Sequence, residues 1–165
     1  MKIKKQRITI EELSHEDLVN LISTGITDGS MYLDILCPRK AYDALPDKAA
    51  DDCAEDRCAK VLLAGGSVFV VDYDADGQAY GNLPHKVSED DDVYYTVTLK
   101  DIIAGLERAA CDEFTHCDDA DGAAREREYL QEAFNEFSDE DSGGFDMNYA
   151  DALWQIILFN ELIYG

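Results

Sequence analysis

Apolar and polar positions alternate unevenly along this chain, and their spacing predicts a series of short strands and amphipathic helices. Residues 2–10 are partly alternating and rich in β-branched side chains, which predicts an opening strand. Ser14 with Asp17 three positions on offers a helix start, Leu18, Leu21 and Ile22 supply its apolar face, and Gly25 closes it. Residues 31–36 read as a second strand before Pro38. Asp51 or Asp52 is placed to cap a helix carrying Ala54, Cys58, Val61 and Leu62, which Gly65 and Gly66 end.

The stretch SVFVVDY, residues 67–73, is almost continuously apolar and β-branched and runs into Asp74-Ala75-Asp76-Gly77, so it predicts a strand followed by a tight turn. Its expected partners are residues 78–80 and 93–97. Thr98 and Asp101 have capping-box spacing ahead of Ile102, Ile103, Leu106 and Ala109. A helix is expected from about residue 123 to 137, with Tyr129, Leu130, Ala133, Phe134 and Phe137 turned inward. A polar, Gly-containing connection then leads to a last helix, residues 149–163. Being apolar on most sides, that helix belongs at the centre of a core. The pattern has no repeat and no interdomain linker. It predicts one α+β domain over residues 1–165, a small antiparallel sheet packed against about five helices.

Composition supports a folded chain: 165 residues are enough for a sizeable core, 46% are hydrophobic, and nine Tyr, six Phe and one Trp are present. Five Cys (37, 53, 58, 111 and 117) and a basic start without an apolar signal region are expected of reduced thiols in a cytoplasm. The longest apolar run, residues 152–164, contains Gln155, Asn160 and Glu161 and is too short and polar for a membrane span.

Charge changes the picture most. There are 36 Asp and Glu against 14 Lys and Arg, a formal net of −22, while the first seven residues hold Lys2, Lys4, Lys5 and Arg7 and no acid. Residues 111–146 carry 13 acids against Arg125 and Arg127 alone, a net of −11. Such an excess disfavours DNA phosphates and anionic lipid as partners and favours a basic protein. Glu128, Glu132, Glu136 and Glu140 recur at four-residue steps, about 6 Å apart on a helix. Like charges so placed cost about 0.2–0.5 kcal/mol per pair. This spacing approximates that of phosphates along a nucleic-acid strand, so the stripe is a candidate DNA mimic for a nucleic-acid-handling protein. Asp139 and Asp141 extend it, and residues 89–92 and 112–121, Asp118, Asp119 and Asp121 among them, are expected to flank it. A solvated helix face, salt adaptation and simple solubility compete with that reading.

Two metal readings stand beside it. Asp72-x-Asp74-x-Asp76-Gly77 matches the first half of a calcium loop, but position twelve is Leu83 and the segment leaves a strand. A hairpin turn rich in Asp and Gly is the plainer account. The related Asp139-x-Asp141-x-Gly143-Gly144 has Gly at position five and reads as a loop. Cys111, His116 and Cys117 lie close together without a Cys-x-x-Cys knuckle and would need a fourth ligand from Cys53 or Cys58 to hold zinc. Gly-x-Ser-x-Gly, a phosphate-binding Gly-rich loop with Lys, and His-Glu-x-x-His are missing, so no catalytic residues, enzymatic activity or cofactor are expected.

Three blocks carry a resemblance: the opening MKIKKQRITIEELSHEDLVNLIS, the central GNLPH followed by YYTVTLKDIIAGLERAA, and the closing ADALWQIILFNELIYG. Together they are similar to type II-A anti-CRISPR proteins, acidic Cas9 inhibitors of bacterial mobile elements. The resemblance implies a non-enzymatic protein of the bacterial host cytoplasm that binds Cas9 with its guide RNA and stops target recognition or cleavage. Cas9 reads its DNA motif with Arg side chains and holds nucleic acid in positively charged channels, which suits an acidic inhibitor. The candidate contact residues Glu128, Glu132, Glu136, Asp139, Glu140 and Asp141, then Asp118, Asp119 and Asp121, rest on charge placement. A calcium module using Asp72, Asp74 and Asp76, and an anti-restriction DNA mimic with another basic target, remain alternatives.

Overall fold

The computed structural model describes residues 7–165 and has an α+β architecture of one four-stranded antiparallel sheet and six α-helices. Helix α1 (His15–Ile22) starts at the Ser14 and Asp17 capping box and runs directly into a π-helical turn, Ser23–Thr27. Strand β1 (Leu33–Leu36) and the short α2 (Arg39–Asp43) follow, then α3 (Ala54–Leu63), β2 (Ser67–Asp72), β3 (His85–Val87) and β4 (Val93–Thr98). Thr98 caps α4 (Leu99–Cys111) with Asp101 at the third position, and α5 (Ala120–Ser138) and α6 (Met147–Phe159) complete the fold.

The sheet order is β1-β2-β4-β3. Strand β2 pairs along its whole length with β4, Val70 facing Tyr95, and from Phe69 to Asp72 with β1, Ile35 facing Val70. Leu33, Ile35, Val68, Val70, Val93, Tyr95 and Val97 are buried on the helical side of the sheet. Helix α6 is the centre of the core, as its all-round apolar character requires: residues 152–159 are all buried, and it packs on α4, α5 and the π-helical turn. Trp154 is fully buried and donates its indole N–H to the Leu21 carbonyl at 2.9 Å. Gly105 on α4 lets the helices cross closely, since a Cβ there would lie 2.5 Å from Ile157 Cγ1 and 2.6 Å from its Cα.

Several expectations are corrected. The expected opening strand lies mostly outside the described residues, and its described part, residues 7–10, is irregular. Residues 78–80 form no strand; the Tyr80 N–H instead donates to the Tyr95 hydroxyl at 2.9 Å, and β3 takes the edge beside β4. Six helices replace five because α2 forms after Pro38. Helix α3 is capped by Cys53, not by Asp51 or Asp52, with Asp56 accepting from the Cys53 N–H at 3.2 Å. The last helix stops at Phe159 because Asn160 is left-handed, φ 58°. Tyr129 is 36% exposed and packs on Tyr149 rather than entering the core. Among the described residues, no helix is long and apolar enough to cross a membrane.

Candidate functional site

Helix α5 presents Glu128 and Glu132 to solvent and partly buries Glu136. It ends at Ser138, and Asp139, its C-cap, is extended, so Glu140 does not continue the helical stripe. Instead the following loop folds back on the last turn: the Ser142 hydroxyl donates to the Glu136 carbonyl at 3.4 Å, and the Gly144 backbone abuts the Glu136 carboxylate. A side chain at 144 would push the Glu136 carboxylate aside, since its Cβ would meet Glu136 Oε2.

This fold-back brings α5's C-terminal end beside the first turn of α1. Between them lies an open cavity of about 340 Å³ walled by Glu16, Asp17, Glu136, Asp139 and Glu140, together with Asn20, Phe137, Ser142, Gly143 and Phe145. Among the described residues, half of those lining it are carboxylates and none is Lys, Arg or His. One oxygen of Glu136 is buried with no hydrogen-bond partner. The acids are spread around the cavity: no three His, Cys, Asp or Glu side chains among the described residues converge as a metal site. Dispersed carboxylates suit large cations such as guanidinium groups better than a single ion.

Backbone electrostatics deepen the negative field. The last turn of α5 contains no basic residue, so Glu136 and Asp139 sit at the negative end of the helix dipole, where each acid costs about 0.3–1 kcal/mol. Glu16 and Asp17 occupy the opposite situation at α1's N-terminus, where their charge is favoured. Glu132 lies beside Tyr149, whose hydroxyl is pushed above tyrosine's usual range by burial and by that carboxylate.

Asp118, Asp119 and Asp121 lie at the other end of α5, about 30 Å away along its axis, and do not join this cavity. Asp119 is the N-cap, accepting from the Gly122 N–H at 2.6 Å, and Asp121 lies in the first turn, so both support the helix itself. Residues 89–92 lie in the β3–β4 turn, where the Asp91 carbonyl accepts from the Gly77 N–H at 2.7 Å.

The calcium-loop acids do not converge. Asp72 is fully buried and accepts from the Tyr164 hydroxyl at 2.8 Å and the Asp74 N–H at 3.0 Å, while Asp74 and Asp76 are exposed. Burial pushes the Asp72 carboxyl above the usual aspartate range, which opposes cation binding there. The zinc candidates are also occupied otherwise: Cys111 Sγ accepts from the Ile8 N–H at 3.3 Å, and His116 lies between Asp112 at 2.8 Å and Glu126 at 3.5 Å. All five cysteines are free thiols.

Glu16 escaped the sequence reading, and Asp17 entered it only as a cap. Their partnership with Glu136 spans about 120 residues and has no local signal. No protein-family model, curated protein or solved structure matches the chain.

Proposed function

We propose that this chain is a non-enzymatic inhibitor that binds a basic, nucleic-acid-handling protein through the acidic face shared by α5 and α1. Cas9 with its guide RNA is the partner the sequence resemblance implies, and the bacterial cytoplasm is the corresponding place of action. One observation carries the reading: five carboxylates wall a single cavity to which the described residues contribute no cation. Such an arrangement is unfavourable in the free protein and is relieved when arginines or lysines enter it. The inhibitor's carboxylates would then take the Arg and Lys side chains that otherwise hold phosphates, with fast and salt-sensitive association.

The test is Cas9 cleavage of a target duplex in the presence of wild-type chain, of Asp139→Lys/Glu140→Lys, and of Glu128→Lys/Glu132→Lys. Wild type should inhibit, inhibition should fall with added salt, and both reversals should weaken it about tenfold or more while melting normally. Wild type that neither inhibits nor is captured by Cas9–guide RNA at low salt removes Cas9 as the partner. Inhibition unchanged by the reversals removes the surface. Inhibition of a restriction enzyme instead would favour the anti-restriction alternative.

A further inference from the structure

The face of the sheet turned away from the helices is open and aromatic. Side chains on it follow from the register: Phe69 lies between Leu36 and Thr96, and Val71 lies between Asp34 and Tyr94. Tyr73 continues the same face beyond the end of β2. Phe69 is 36% exposed, Leu36 42% and Tyr73 48%. Val71 is fully buried yet stands outside the core cluster, consistent with cover from its aromatic neighbours on this outer face. Exposed apolar side chains gathered on one face mark an interaction surface.

The edge of this sheet is closed to a further strand on the β1 side. The Leu33 N–H donates to the Ser30 hydroxyl at 2.8 Å and the Ile35 N–H to the Asp34 carboxylate at 2.8 Å, so its outward donors are occupied. A partner must therefore use the face. There the Tyr73 hydroxyl approaches the Asp34 carboxylate at 3.4 Å, with Tyr94 and Asp92 close enough to act on it electrostatically. Aromatic rings bordered by carboxylates match the guanidinium group, which stacks on the ring and forks onto the acid; an ammonium group does only part of this. Lys86, opposite Tyr94, is the only cation that the paired strand residues place on this face, and the net charge of −22 favours a basic occupant.

We propose that this outer sheet face, built on Phe69, Tyr73 and Tyr94 with Asp34 and Asp92 beside them, docks arginine side chains of a basic protein segment. The proposal extends the cationic-partner reading to a second surface, remote in sequence from the α5 cavity, and it does not require that the partner be Cas9.

Binding of fluorescent nona-arginine and nona-lysine to the full chain, followed by anisotropy at near-physiological salt, tests it. Wild type should prefer nona-arginine by about threefold or more. Phe69→Ser/Tyr73→Ser should erase that preference and leave nona-lysine binding unchanged, whereas Phe69→Tyr should keep it. Asp139→Lys/Glu140→Lys, on the other surface, should weaken both peptides equally and leave the preference intact. A wild type without preference, or a preference that survives Phe69→Ser/Tyr73→Ser in a protein that melts normally, overturns the proposal. So does a wild-type dimer that Phe69→Ser/Tyr73→Ser converts to monomer, since the face would then belong to a second copy. Absence of Cas9 inhibition would leave these peptide results untouched, so the two readings fail separately.

Discussion

The Tyr164 hydroxyl donates to the buried carboxylate of Asp72 across 2.8 Å, joining the last residues of the described chain to the end of β2. The same terminal segment is held by Gln155, whose side-chain oxygen accepts from the Ile163 and Tyr164 N–H groups at 2.7 and 2.9 Å. Removing the hydroxyl with Tyr164→Phe leaves the carboxylate short of a donor where water does not reach. Stability should fall by about 1–3 kcal/mol, measured as a lower denaturation midpoint in urea with an unchanged slope.

Asp72 also sets a pH dependence. Its folded-state pKa is raised, so the native protein holds this proton more tightly than the unfolded chain does. Stability from this group is therefore fully present below the ordinary aspartate pKa of about 4 and is lost as pH rises through the folded value. Melting temperatures of Asp72→Asn and wild type should diverge in the variant's favour from acid to neutral pH. Millimolar calcium should shift neither curve, and a calcium shift abolished by Asp74→Ala would revive the metal reading.

Asp52 behaves oppositely. Lys60 Nζ lies 2.8 Å from it and the Tyr42 hydroxyl also donates to it, which holds the carboxyl well below its usual range. Its contribution is present above the ordinary aspartate pKa and is lost as pH falls toward the folded value. Asp52→Asn should melt lower than wild type near neutral pH, and the gap should close in strong acid.

Gly105→Ala should cost about 1–3 kcal/mol through overpacking, because the added methyl meets both the side chain and the backbone of Ile157. The companion change Ile157→Val removes only Cδ1 and keeps the Cγ1, Cβ and Cα atoms that the new methyl would meet, so thermal melts of the double variant should show little or no recovery.

Glu140→Lys should stabilise the free protein by about 0.3–1 kcal/mol while weakening partner binding, since it relieves repulsion beside the negative end of α5. The gain should shrink as salt is added. A destabilised variant would mean that these charges are already compensated within the chain.

Local signals marked the elements whose causes are local. Ser14 with Asp17 and Thr98 with Asp101 form capping boxes as their spacing requires, and the continuous apolar run at 67–72 is the central strand β2. Strand β3 was hidden because its three residues are exposed and take their conformation from pairing with β4. Helix α3's start was misplaced because a cysteine occupies a position that oxygen-bearing side chains usually fill. At the candidate site, the negative charge of α5 was legible, but its division was not. Whether Glu140 belongs to a helix or a loop depends on where α5 ends, and the contribution of Glu16 depends on how α1 lies against that end.

Trp154 is the sole tryptophan, sealed in the core and tethered to Leu21. Its fluorescence is thus an unlabelled reporter of one event, with blue-shifted emission while the indole stays dry and a red shift when the core opens. Titrations at the acidic cavity or the sheet face should leave that colour unchanged, so a peptide that reddens it is unfolding the protein rather than docking on it.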